Sequence, residues 1–135
     1  MALTSGIAIN RRGPPSRNEF GYPVAAGEQI WRGSLCAVNA AGSLQRMQTS
    51  GSVAFVGMSE QDFSNVGSAT VSAQKIVVRK GTWALTVTGA TAANINAPVY
   101  ASDDGTLTLT AGSLLQVGTL AGIENGQTYV NLLGS

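Results

Sequence analysis

Two stretches of this sequence follow one pattern, and that repetition restricts the fold more than any other feature. The first runs from Ile30 to Ser59 and the second from Ile95 to Ala121. Each opens with a short apolar strand, Ser34-Leu35-Cys36-Ala37-Val38 or Pro98-Val99-Tyr100-Ala101. Each then reaches a polar turn that ends in glycine, Asn39-Ala40-Ala41-Gly42 or Asp103-Asp104-Gly105. A second strand follows, Leu44-Gln45-Arg46-Met47 or Leu107-Thr108-Leu109-Thr110, and then a third that ends in Val-Gly, at Val56-Gly57 and Val117-Gly118. Two hairpin-plus-strand units in one small chain, arising by duplication or by shared hairpin grammar, predict an all-β fold. We expect a single-domain β-barrel or jelly-roll-like sandwich of about eight to ten short strands.

The flanking text supports β structure. Ile76-Val77-Val78 is β-branched, and Thr82 to Thr88 alternates so that Trp83, Leu85 and Val87 share one face of a single strand. Thr128 to Leu132 supplies the last strand, and Asn125-Gly126 before it is a type I′ hairpin signal. Helix is confined to single turns, one at Ser59-Glu60-Gln61-Asp62 and one at Thr91-Ala92-Ala93-Asn94. Phe63 to Gln74 is small and polar and reads as the longest loop.

Residues 1–26 differ from the rest. They carry Arg11, Arg12 and Arg17, three of the chain's eight basic residues, with Pro14, Pro15 and Pro23. Proline lacks an amide donor and fixes φ, so this segment reads as an extended N-terminal arm before a β domain at 27–135. Phe20, Tyr22 and Val24 are apolar anchors at every second position that would be wasted in water, which argues against a disordered arm.

Composition excludes several functions. Charged residues make up 11% of the chain, with a net charge of +1, against roughly a quarter in ordinary domains. So weak a positive charge argues against nucleic acid as a partner, because that affinity comes from many phosphate contacts. No apolar run is long enough for a membrane-spanning helix, and the first ten residues lack the basic start of a signal peptide. The chain has no histidine and one cysteine, Cys36. A serine nucleophile would have only lysine or an amine as its base, and Lys75 and Lys80 flank a strand. Cys36 reads as a small buried apolar side chain. Asp103-Asp104-Gly105 lacks the further oxygen ligands of a calcium loop and reads as a hairpin turn. No catalytic residue, metal or cofactor is expected. Trp83 reads as core. Trp31, beside Arg32 where the arm enters the body, either closes the barrel floor or anchors a subunit contact.

A further set of short motifs runs in order along residues 25–133. It comprises Gly27-x-x-Ile30-x-x-Gly33, Val56-Gly57-Met58, Asp62-x-x-Asn65 and Ile76 to Gly81. It continues with Asn96-Ala97-Pro98-Val99-Tyr100-Ala101-x-Asp103-Asp104, Val117-Gly118-Thr119 and Tyr129-Val130-Asn131-Leu132. In this order they resemble the small head decoration, or capsid cement, proteins of tailed bacteriophages. Many relatives carry Gly-Asp where this chain has Asn96-Ala97. The resemblance implies a non-enzymatic virion protein, made in the host cytoplasm, that sits on the outer capsid surface and clamps neighbouring major capsid protein subunits. It also implies a homo-oligomer, with a trimer favoured and a dimer open. On that reading Arg11, Arg12, Arg17, Phe20, Tyr22, Trp31 and Arg32 form the capsid or subunit interface, and deletion of residues 1–24 is expected to leave a folded body that no longer binds capsids. The rival structural reading is a tail, baseplate or glycan-binding fibre-tip domain, which copy number in the particle separates from a decoration protein.

Overall fold

The computed structural model describes residues 19–49 and 51–132. The fold is all-β, as expected, and its sheets curl into a half-barrel. The strands fall into two consecutive halves. The first holds β1 (Glu19–Pro23), β2 (Gln29–Ile30), β3 (Leu35–Val38), β4 (Leu44–Arg46), β5 (Ala54–Ser59), β6 (Phe63–Ser64) and β7 (Lys75–Arg79). The second holds β8 (Gly81–Ala84), β9 (Val87–Thr88), β10 (Pro98–Ala101), β11 (Leu107–Thr108), β12 (Leu115–Glu124) and β13 (Gln127–Leu132). These thirteen described strands exceed the expected eight to ten because several are only two residues long.

Both halves are built to one plan. The first sheet has the order β1-β7-β5-β3-β4, and the second β8-β13-β12-β10-β11-β9. In each, the opening strand pairs antiparallel with the last strand of its half, β1 with β7 and β8 with β13. The chain then crosses to the opposite edge of the same sheet. Val24 bridges Leu44 in parallel, and β9 pairs in parallel with β11. Each sheet therefore curls back on itself through its first strand. Thr82–Thr88 is for this reason not the single strand its alternation suggests. It breaks at Leu85-Thr86 so that its two ends reach both edges of one sheet.

The match between halves extends to single hydrogen bonds. Asn39 N–H donates to Ser43 O at 3.0 Å, and Ser102 N–H to Thr106 O at 3.1 Å. Gly33 N–H donates to Ser59 O at 2.8 Å, and Asn96 N–H to Leu120 O at 2.8 Å. Gly33 and Asn96 both have positive φ, 88° and 71°. Asparagine is among the few side chains that tolerate that region. A β-bulge interrupts the β3–β5 register between Cys36 and Ala37, and the β10–β12 register between Val99 and Tyr100. The skipped residues are Val56 and Val117, so each Val-Gly pair marks a bulge inside a strand and not a strand end.

Two cores follow from this plan. The first comprises Val24, Ile30, Cys36, Leu44, Val56, Ile76 and Val78. The second contains the counterparts Val87, Val99, Leu107, Val117 and Val130, and also Leu35, Ala37, Met47 and Met58 from the first half. Those last four cement the halves to each other. Each fully buried Val, Leu or Ile contributes roughly 1.5–3 kcal/mol. Polar bonds add to the join, since Asp104 Oδ2 accepts from Ser34 Oγ at 2.9 Å and Asp104 O accepts from Leu35 N–H at 3.0 Å.

The halves differ most between their fourth and fifth shared strands. Asn125-Gly126 makes the expected tight turn, with φ 53° and 76°. Residues 60–74 instead form a long excursion whose β6 pairs with β2. Asn65 fixes it, donating through Nδ2 to Ala25 O at 2.9 Å and Thr70 O at 3.0 Å. Of the expected helical turns, Thr91–Asn94 forms a 3₁₀ turn with a capping box, and Ser59–Asp62 does not. Ser59 Oγ there accepts from Gln61 N–H and donates to Gln61 O.

The boundary at residue 27 is corrected. Glu19 to Pro23 is a five-pair strand of the first sheet, and Val24 is fully buried, so the body includes residues 19–26. The alternating Phe20, Tyr22 and Val24 mark an edge strand of the domain itself, which an extended, apolar-alternating arm resembles in sequence.

Candidate functional site

The residues expected at a partner interface occupy three places. Arg11, Arg12 and Arg17 lie outside the described residues. Phe20 and Tyr22 stand on β1, with ring centroids 5.2 Å apart at 50°. Tyr22 packs against the first core, and burial raises its hydroxyl pKa. Both stand on a strand of the chain's own sheet, and Phe20 keeps 45% of its surface exposed.

Trp31 and Arg32 share the turn that leads into β3. Ser34 braces it, donating its N–H to Trp31 O at 3.0 Å and accepting the Trp31 N–H through Oγ at 3.3 Å. Asp62 Oδ1 accepts the backbone N–H of Arg32 at 2.7 Å. Trp31 is 51% exposed, so it does not close a barrel floor. A bulky indole is thereby held outward on a turn with little freedom of its own.

Beside this turn lies a surface recess of about 270 Å³, lined by Arg32, Gly33, Met58, Ser59, Glu60 and Trp83. Trp83 is half-buried against the second core, and its Nε1–H donates to Lys80 O at 3.1 Å. With that donor satisfied, the indole offers the recess apolar surface. Glu60 at the rim is held by Arg79 Nη1 at 2.9 Å. Sequence reasoning found Arg32 but missed Met58, Glu60 and the second face of Trp83. No local pattern joins residues from β5, β8 and the β2–β3 turn.

Reactive chemistry is sparse among the described residues. Burial pushes the Cys36 thiol up to about 12, so it is neither a nucleophile nor a ligand near neutral pH. Asp103 accepts the Gly105 N–H at 2.9 Å and the Thr106 hydroxyl at 3.0 Å, and the Gly105 bond holds its carboxyl below the usual range. That is turn chemistry, as the sequence suggested. No group of three or more His, Cys, Asp or Glu is placed to hold a metal ion among the described residues. Glu28 serves the fold: it accepts from Arg46 Nε at 3.2 Å and from the backbone N–H groups of Gln29 and Arg46.

In comparison with known proteins, the chain matches no family model, no curated protein and no solved structure.

Proposed function

We propose that this chain is a structural virion protein that decorates a phage capsid and stabilises it by clamping neighbouring major capsid protein subunits on the outer surface. It catalyses nothing and needs no cofactor. The observation that carries the reading is the braced turn that presents Trp31 and Arg32 from a stiff, low-charge β body. Tryptophan and arginine are the residue types most enriched at binding hot spots. Depletion of charge suits the centre of a protein interface. The ordered likeness of residues 25–133 to head decoration proteins points to the capsid as the partner.

Repetition supplies the strength such a protein needs. Each copy that bridges two shell subunits makes its second contact intramolecular, so modest interfaces sum to firm attachment. A protein that binds only the assembled lattice also stabilises that lattice by mass action. Homo-oligomerisation, with a trimer favoured, would add further bridges. The test is occupancy on purified heads stripped of the chain. The native protein should rebind, and Trp31→Ala or Arg32→Gln should lower occupancy about ten-fold or more without unfolding. Equal occupancy by native and altered chains overturns the assignment of the turn. Failure of the native chain to bind heads overturns the capsid reading.

A further inference from the structure

β1 closes the first half as β8 closes the second, but the two strands are tethered differently. β8 is held at both ends, by Lys80 to β7 and by Leu85-Thr86 to β9. β1 is joined to the rest of its half at one end, through the turn Ala25–Glu28. Glu28 N–H donates to Ala25 O across that turn at 3.2 Å, and Gly27 at its third position has φ 74°. Ala26 and Gly27 are exposed. The strand that completes the first half thus hangs on a single solvent-facing hinge.

The place that β1 fills is specific for this strand. β7 pairs with it over five residues, from Glu19↔Arg79 to Pro23↔Lys75. At the far end Val24 N–H donates to Ser72 Oγ at 2.8 Å, and Val24 O accepts the Ser72 N–H at 2.9 Å. Ala25 N–H donates to Leu44 O at 2.9 Å. Val24 is fully buried, and Tyr22 packs on the same core. A chain whose β1 has swung out uncovers Leu44, Ile76 and Val78 together with an edge of β7. The segment that meets all of these demands is β1 itself, and a second copy of the chain carries the same strand.

We infer that two copies of this chain exchange β1, each inserting residues 19–24 beside β7 of the other. The hinge Ala25–Glu28 then runs extended from one body to the next. Every contact of β1 is kept, so the balance between single and exchanged chains is set by the turn and by concentration. A strand on a short tether sees its own slot at an effective concentration of about 1 mM, and a neighbour's slot competes near that value. Because each copy both gives and receives, the exchange closes as a pair. The inference goes beyond the capsid reading and does not rest on it, since it requires only a second copy.

The experiment traps the strand with disulfides in the full chain carrying Cys36→Val. Gly21→Cys with Val77→Cys bridges β1 to β7, because those residues stand opposite each other and a Gly21 β-carbon comes no closer than 3.4 Å to its neighbours. Thr82→Cys with Asn131→Cys does the same for β8 and β13, where the strand is held at both ends. Each variant is refolded from urea in oxidised glutathione at about 10 μM and at about 1 mM, and its intact mass is measured. At the lower concentration both should be internally linked single chains. At the higher, about half of the β1–β7 variant should be a covalent pair, while the β8–β13 variant should stay single. Light scattering of the unaltered chain refolded at about 1 mM should show a similar fraction of pairs. Gly27→Val strains the closed turn but not an extended hinge, and should lower the midpoint concentration for pairing about ten-fold. Ala26→Pro presets the closed turn and should raise that midpoint. The inference is overturned if the unaltered chain stays single at about 1 mM, or if the β1–β7 link is internal at both concentrations. Equal pairing by the Gly27 and Ala26 variants, or covalent pairs of the β8–β13 variant, overturns it as well.

Discussion

Gly57 and Gly118 occupy the same place in the two halves, each directly after a bulged valine and each pressed beneath the backbone of the neighbouring strand. A β-carbon at Gly57 would stand 2.7 Å from Arg79 O, and one at Gly118 would stand 2.2 Å from Asn131 O. Since those contacts are backbone, no rotamer change relieves them. The Val-Gly pairs seen in the sequence are thus the points where a bulge lets the next strand come close. They record a shared device for curling each sheet.

Alanine at either glycine should be severely destabilising. Gly57 also has φ of 137°, a region costly for any side chain. We expect Gly57→Ala and Gly118→Ala each to cost about 2–4 kcal/mol by urea unfolding. Gly105→Ala should fall within about 0.5 kcal/mol, because its β-carbon would meet nothing within 4 Å. Near-native midpoints for the first two would contradict the close approach.

Cys36 stands where the second half has Val99, and both are fully buried. Cys36→Val should therefore change stability by less than about 1.5 kcal/mol. The native thiol should resist an aromatic disulfide reagent at pH 8 until the protein unfolds. Because burial raises the folded pKa from 9.0 to about 12, the neutral thiol is favoured in the fold. Its contribution is complete below pH 9 and is lost as pH rises through that window. Stability of the native chain, but not of Cys36→Val, should carry this alkaline component in urea titrations from pH 8 to 11.

Truncation separates the arm from the body. A chain beginning at Glu19 retains every described strand and should unfold with the cooperativity of the full chain. Deleting residues 1–24 removes β1 and the buried Val24. Far-ultraviolet circular dichroism should then show loss of the fold or a melting temperature lower by more than about 10 °C. Equal stability of the two truncated chains would show that β1 is dispensable.

Glu28 carries a structural charge. Its two oxygens accept from the backbone N–H groups of Gln29 at 2.8 Å and Arg46 at 3.1 Å, and from Arg46 Nε. Glu28→Ala should cost about 1.5–3 kcal/mol, and Glu28→Gln should recover part of that because one acceptor oxygen remains. Identical losses for the two variants would argue against the acceptor role.

Much of the fold was legible because it rests on local chemistry. The hairpin residues, the Asn125-Gly126 turn and the β-branched run at Ile76 to Val78 each dictate structure within a few positions. What stayed hidden depends on distant pairing. Glu19 to Pro23 is a strand only because β7 lies beside it, and Leu85-Thr86 breaks a clean alternation only because one sheet must close on itself. The echo was visible over the three central strands of each half, where the spacing is kept. It faded over β7 and β13 because residues 60–74 in one half stand where residues 121–126, the end of β12 and its tight turn, stand in the other. For the site, Trp31 and Arg32 could be read as hot-spot types from their order alone. The recess could not, since Met58 and Trp83 meet only after both halves have folded.

The most direct test of the account is a cryo-electron microscopy reconstruction of the particle that carries this chain. The account predicts copies on the outer shell surface, approaching the major capsid protein in number, with the Trp31-Arg32 turn against a shell subunit and each copy touching at least two subunits. A chain confined to the tail, or a shell whose outer surface holds none of it, would contradict that claim.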